Sequence, residues 1–378
     1  MSEDKKRDRN TDETKRRIGR VWSASIIVLV AAIVCGLMWK AGLMDFRSVD
    51  DKFAAIDAEL AIPDAENAAV FYRRFFAEPN NAAILDDLSS QTPSAYVEPW
   101  ADSEHPELAA ELKKNRAFIQ TLLDISQMQQ ARFPVYPSPG SNRWQMLADM
   151  RKVTFILSWA AANDLAEDRA EEAHKKYRCQ FNLARLLEQQ PAWYYNVAGI
   201  AIEAVASGNI GRAVMRDDIT PEQLRSLETI LEIPRNQDEI DAEVAARVDR
   251  LIEEKERSEL SFALRFKQWL LGRAGRKQPE QRLLLIHLRI EATRRATPIL
   301  IALRHHKEKT GEWPETLEQI EPKLPGQMLI DPQNNGPFVY KRDGDDFVFY
   351  SKGPNNIDEG GSYSGSADDW PIWPLKIK

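Results

Sequence analysis

The chain has 378 residues, 43% hydrophobic and 29% charged, and its 51 Lys and Arg against 58 Asp and Glu give a formal net charge of −7. A net-acidic chain of this kind argues against nucleic acid as a partner. Of its two cysteines, Cys35 lies in an apolar run, so no intramolecular disulfide is expected, and Cys179 reads as a small buried residue on a helix.

Residues 1-20 form a basic head, with eight Lys/Arg and five Asp/Glu, directly before the uncharged run Val21 to Met38. At ~1.5 Å rise per residue a helix of this length nearly matches a ~30 Å hydrocarbon core, and Trp22 and Trp39 stand where interfacial aromatics belong. The positive-inside bias predicts a single-pass protein of the inner (cytoplasmic) membrane. Residues 1-20 are then cytoplasmic, 21-39 transmembrane, and the remaining chain extracytoplasmic at about −10 net charge. A cleaved signal peptide is the rival, but Trp39, Lys40, Leu43 and Met44 surround the candidate small-x-small sites.

Residues 45-275 read as a helical domain. Ile62-Pro63-Asp64 breaks one helix and starts the next, and an amphipathic run from His105 to Phe133 is closed by the proline-rich stretch Pro134 to Gly140. Ala170, Ala173, Tyr177, Phe181, Ala184 and Leu187 recur at spacings of three and four, one buried helix face. Val197 to Val205 repeat that period until Gly208-Asn209. Thr220-Pro221-Glu222-Gln223 is an N-cap, first-turn proline and capping-box Gln in one. Successive helices with small Ala positions suggest hairpins stacked in a tetratricopeptide-like manner, without a strict repeat period. No helix in this domain reads as apolar enough to span a membrane.

Residues 279-378 form a different, α+β module. A helix from Pro279 to Lys309, with Pro298 inside it, gives way to two aromatic and β-branched runs, Phe338 to Arg342 and Phe347 to Ser351, around Asp343-Gly344-Asp345-Asp346. That is an antiparallel hairpin with an Asp-Gly turn. A loop rich in Gly, Asn and acids follows, then Asp368-Asp369 and the stiff tail Trp370-Pro371-Ile372-Trp373-Pro374. The fold class is therefore mainly α: transmembrane helix, helical bundle and a small C-terminal α+β module.

The stretch Ser351 to Gly361 with Asp368-Asp369 is the densest set of hard oxygen donors in the chain, and calcium takes six to eight such oxygens from a flexible loop. The plain alternative is a solvated acidic loop. From Ile290 to Asp369 the motifs Gly311-x-Trp313-Pro314, Asp331-Pro332, Asn335-Gly336-Pro337, Tyr340, Tyr350-Ser351-x-Gly353 and the acidic Gly-Gly loop occur in order. In that order they resemble the C-terminal region of the major pseudopilin of type II secretion systems. The resemblance implies a calcium-binding loop in which Asp358, Asp368 and Asp369 supply carboxylates and the 351-355 turn, including Ser351 and Asn355, supplies further oxygens. Two departures stand against a working pseudopilin: about 240 residues of helical domain separate the anchor from the module, and Asn355-Asn356 replaces the usual acidic-glycine pair.

Other constellations read more plainly. His305-His306-x-Glu308 lacks the four-residue His spacing of zinc helices and reads as a solvated helix end, and His174 and His287 are isolated on helices. Glu171-Glu172 and Glu253-Glu254 are surface charge. Trp370 and Trp373 either stack on a sugar or peptide or pack against the hairpin. The expectation is a non-catalytic extracytoplasmic scaffold with a protein partner in the cell envelope; a type II secretion component and a membrane-tethered hydrolase are the alternatives.

Overall fold

The computed structural model describes residues 47–95, 97–136, 145–231, 242–259, 277–320, 324, 326–364 and 366–374. The expected head, the span Val21 to Met38 and residues 260–275 lie outside the described residues. The described residues divide between Ala55 and Ile56 into two units. Ser48 starts helix α1 (Val49–Glu59), which runs across that division: its Oγ accepts from the Asp51 amide at 3.1 Å and donates to Asp51 Oδ2 at 2.7 Å, a reciprocal N-terminal cap.

The second unit is mainly helical with one small antiparallel sheet. Four short helices lead in: α2 (Ala68–Ala77), α3 (Pro79–Gln91), α4 (Pro106–Lys114) and α5 (Arg116–Ser126). Asn67 caps α2 through its side-chain oxygen, and Pro79 and Pro106 occupy first-turn positions where a missing N–H costs nothing. The run from His105 to Phe133 is thus two helices. Asn115 breaks it, because its side chain turns back onto the Glu111 carbonyl at 3.0 Å and competes with the helix ladder.

The centre is built from α6 (Gln145–Ala166), α7 (Ala170–Glu188) and α8 (Trp193–Val214), with α9 (Pro221–Leu231), α10 (Ala242–Glu259) and the 34-residue α11 (Lys277–Thr310) following. Short connections at 167–169 and 189–192 fold α7 onto α6 and α8 onto α7, and α11 packs along α8. Buried polar side chains bracket these layers. Gln180 of α7 donates to the Thr154 carbonyl and to Ser158 Oγ of α6, and Lys176 lies 2.5 Å from Asp164 Oδ2. The expected capping box is formed in both directions: the Gln223 amide donates to Thr220 Oγ1 and the Thr220 amide to Gln223 Oε1.

Two expectations change. The helix carrying Val197 does not end at Gly208-Asn209 but runs to Val214, because the Asn209 amide is used for packing instead. It donates to the Ala95 carbonyl and Ser158 Oγ while its oxygen accepts from the Val97 amide. The same helix, α8, is also long and apolar enough to cross a membrane, contrary to expectation, yet 67% of the relevant window is buried inside the fold. A helix apolar all round fits a position enclosed by α6, α7 and α11.

The tail forms a three-stranded sheet of order β1 (Val339–Asp343), β2 (Asp346–Ser351) and β3 (Trp370–Trp373). The hairpin is as expected, with Asp343 opposite Asp346 and Gly344 at φ +59 taking the first turn position, where a side chain would be strained. The stiff tail is a third strand; proline is tolerated there because β3 is an edge. Phe338, Phe347, Phe349, Trp313 and Ile372 join Ile210, Ile299 and Leu303 in one continuous core. Cys179 is buried as expected, and burial pushes its thiol up to about 12.

Candidate functional site

The acidic tail loop is organised around Ser351, at the end of β2. Its buried hydroxyl accepts from Gln333 Nε2 at 2.7 Å and from the Gly353 amide at 3.0 Å. Gln333 is placed by an Asx turn: Asp331 Oδ1 accepts the Gln333 amide, and Asp331 Oδ2 the Asn334 side chain. Asn334 in turn donates to the Gly353 carbonyl at 3.1 Å. Gly353 sits at φ +64, and a Cβ there would lie 2.3 Å from Asp368 Oδ1 and 2.4 Å from the Asp368 carbonyl. Both the conformation and the space require glycine.

The two aspartates after the loop are the centre of the arrangement. Asp369 is fully buried, and its Oδ2 accepts from the amides of Glu359 at 2.9 Å and Gly361 at 2.8 Å. Asp368 is half-buried, and its amide donates to Glu359 Oε2 at 2.9 Å. Oδ1 of Asp368, Oδ1 of Asp369 and Oε1 of Gln333 are each buried without a hydrogen-bond partner. Burial, with the neighbouring Glu359 charge, pushes both carboxyls above the ordinary range. These oxygens suit a hard cation: carboxylate and amide donors beside a backbone carbonyl.

The other expected ligands are differently engaged. Asp358 accepts the Tyr350 hydroxyl at 2.5 Å and the Gly360 amide on Oδ1, and Lys341 Nζ at 3.0 Å on Oδ2. Tyr350 first, then Lys341, hold its carboxyl down to about 2. Asn355 Oδ1 accepts the Ile357 amide at 2.7 Å, and its Nδ2 donates to Glu359 Oε1. So Ser351, Asp368 and Asp369 share one locus with Gly353, whereas Asp358 braces the outer face of the hairpin. Sequence reasoning missed Gln333 and Asp331, although Asp331-Pro332-Gln333-Asn334 before Gly336 carries the Asx-turn signal. Among the described residues no group of three His, Cys, Asp or Glu side chains is spaced to hold a metal, so any cation here would draw on amide and backbone oxygens as well.

A second polar depression, of about 390 Å³, is lined by Glu171, Glu172, His174 and Ser226. The Ser226 hydroxyl contacts His174 Nδ1, and Glu171 Oε1 lies 4.0 Å from the same nitrogen, while Nε2 is buried without a partner. A serine relay has hydroxyl and carboxylate on opposite ring nitrogens, whereas here both meet the same one. His305 Nε2 meets Glu228 Oε2 at 3.3 Å, a side-chain contact across helices rather than a fully solvated end.

No protein-family model, no curated protein and no solved structure matches this chain.

Proposed function

We propose that the chain is a membrane-tethered, non-catalytic envelope protein whose helical part offers an interaction surface outside the cytoplasmic membrane and whose tail is a module stiffened by calcium. The observation that carries the tail reading is three partnerless buried oxygens in this loop, on Gln333, Asp369 and Asp368, the last of them against Gly353. Bound calcium would supply the positive charge that offsets the burial of two adjacent carboxylates. Asp368, Asp369 and Gln333 would hold it, with Ser351 orienting Gln333. The resemblance of residues 290–369 to the pseudopilin C-terminal region supports the same assignment, and a type II secretion-related component is its narrower form.

The membrane placement rests on the charge step across Val21 to Met38. The scaffold reading is supported by where the interior polar groups are used: Asn163, Gln180, Gln190 and Asn209 all tie one chain segment to another. Helices folded back one on the next also suit a tetratricopeptide-like stack, whose faces bind protein partners.

The full chain in detergent, melted in calcium, in magnesium and with chelator, tests the tail. Extracellular calcium modules work at ~10⁻⁴ to 10⁻³ M, so ~10 mM calcium should stabilise by about 1 to 3 kcal/mol, and magnesium by less. Equal melting temperatures in calcium and chelator would remove calcium from the reading. A phosphatase reporter fused after Lys378 tests the placement, since activity requires an extracytoplasmic C-terminus.

A further inference from the structure

A cleft of about 570 Å³ opens where α8, α11, loop 360–364 and strand β3 meet, within the ~300–1,000 Å³ range of ligand pockets. Its floor is made of small residues. Ser207, Gly208 and Gly211 of α8 face Thr297 and Leu300 of α11, and a Cβ on Gly211 would come within 3.0 Å of Leu300 Cδ1. Thr297 Oγ1 bonds the Ser207 carbonyl at 3.2 Å and so fixes this approach.

Its wall is aromatic and held rigid. Trp370 Nε1 donates to Thr293 Oγ1 at 3.1 Å, Tyr363 stands edge-on to Trp370 with centroids 5.5 Å apart, and the Arg289 guanidinium lies 4.6 Å from the Tyr363 ring. Trp373 is fixed against Phe347 and bonds Asp346 Oδ1 at 3.3 Å. These rings are not simply core: Tyr363 is 49% exposed, and Trp370 and Trp373 are half-buried and border the cleft.

The lining carries little charge. Its one charged residue, Arg212, is buried and bonds Glu98 Oε1 at 3.1 Å and the Gly208 carbonyl. Ser362, Tyr363 and Ser364 form the loop side, with the two serine hydroxyls 3.3 Å apart, whereas the Thr293 hydroxyl is already engaged by the Trp370 indole and the Arg289 carbonyl. An anionic ligand would meet no free charge among the lining residues, because Arg212 is bonded to Glu98 and the nearby Arg289 guanidinium is stacked on the Tyr363 and Trp370 rings, and a purely apolar one would cover hydroxyls without bonding them, which costs free energy. A ligand with flat apolar faces and a neutral hydroxyl edge satisfies both surfaces.

We propose that this cleft binds an uncharged saccharide, its ring face against the Trp370 and Tyr363 side chains and its hydroxyls on Ser362 and Ser364. The site lies on the seam between helical part and tail and requires no cation, so it stands or falls apart from the calcium reading. The test uses the full chain in detergent with chelator present, titrated with maltotriose, cellotriose and chitotriose by calorimetry and by saturation-transfer NMR. Saturable binding to at least one, with an affinity of about millimolar or better, is expected. Ser364→Trp, which plugs the lip, should abolish it with the melting temperature unchanged, and Tyr363→Ala should weaken it by about tenfold, or about 1.4 kcal/mol. Tyr363→Ala serves as the readout if Ser364→Trp fails to fold. No saturable binding to any of the three sugars overturns the proposal. So does binding that both variants leave intact, equal affinity for a trigalacturonate, or competition by the neutral peptide Gly-Phe-Gly alone.

Discussion

The indole N–H of Trp370 donates to Thr293 Oγ1 at 3.1 Å, so the last strand of the tail is tied by one side-chain bond to the middle of α11. The same threonine hydroxyl also bonds the Arg289 carbonyl at 3.2 Å, one turn earlier. Thr293→Val keeps the shape and removes the acceptor, leaving a half-buried indole N–H without its partner. The expected cost is about 1 to 2 kcal/mol, seen as a lower urea midpoint at constant slope, with Thr293→Ser close to wild type.

Helices α8 and α11 are joined by charge as well as by apolar contact. Arg294 Nε lies 3.0 Å from Glu203 Oε1, with side chains 9% and 7% exposed, and Arg294 Nη1 lies 2.9 Å from Glu291 Oε2. Breaking a buried pair strands a charge and costs ~3–5 kcal/mol, whereas replacing both partners by apolar residues is often neutral. Glu203→Leu should therefore cost about 3 kcal/mol, the low end because Glu291 still holds Arg294. Glu203→Leu with Arg294→Leu should recover most of that. A double variant whose loss, measured by chemical denaturation, equals the sum of the losses of Glu203→Leu and Arg294→Leu alone would show that the pair is not coupled.

How far the chain could be read follows the range of the forces involved. The Thr220 capping box, the Gly344 turn and the Tyr177-Phe181 face depend on neighbours within a few residues, and the first two are found as expected. The long-range brackets were illegible. Gly208-Asn209 looks like a helix end until Ala95 and Ser158, far away in sequence, engage the Asn209 amide. Trp370-Pro371-Ile372-Trp373 looks like a stiff tail until β2 offers it an edge. In the candidate site Asp368 and Asp369 could be picked out by composition. For Gln333 the Asx-turn signal marks only the local bend, because its role comes from the Ser351 hydroxyl across the module.

Burial holds His174 below its ordinary value near 6.5, opposed by the Glu171 charge and reinforced by Arg178. Between the lowered folded value and 6.5 the unfolded chain binds a proton that the folded chain does not. Stability is therefore complete above about pH 6.5 and falls as the pH drops toward the folded value. His174→Gln cannot titrate, so its stability should be flatter than wild type as the pH falls below about 6.5. Melting both proteins across that interval at constant ionic strength checks this, and parallel curves would place the titrating group elsewhere.

Asp369 is the side chain on which calcium should matter most. Its Oδ2 already accepts two amides, from Glu359 and Gly361, while its buried Oδ1 has no partner and its carboxyl is pushed up by burial. Asparagine can keep both amide bonds through its own oxygen while carrying no charge to bury. In chelator, then, Asp369→Asn should melt at or above the wild-type temperature, because a charge whose desolvation opposes folding has been removed. In ~10 mM calcium the order should reverse: the wild type gains about 1 to 3 kcal/mol and the variant gains little, having lost a carboxylate ligand. Asp358→Asn is the contrast. It weakens the pairing with Lys341 and Tyr350 on the outer face of the hairpin, so it should lower the melting temperature alike with and without calcium. A crossing of the Asp369→Asn and wild-type curves with calcium concentration, and none for Asp358→Asn, is the expected pattern.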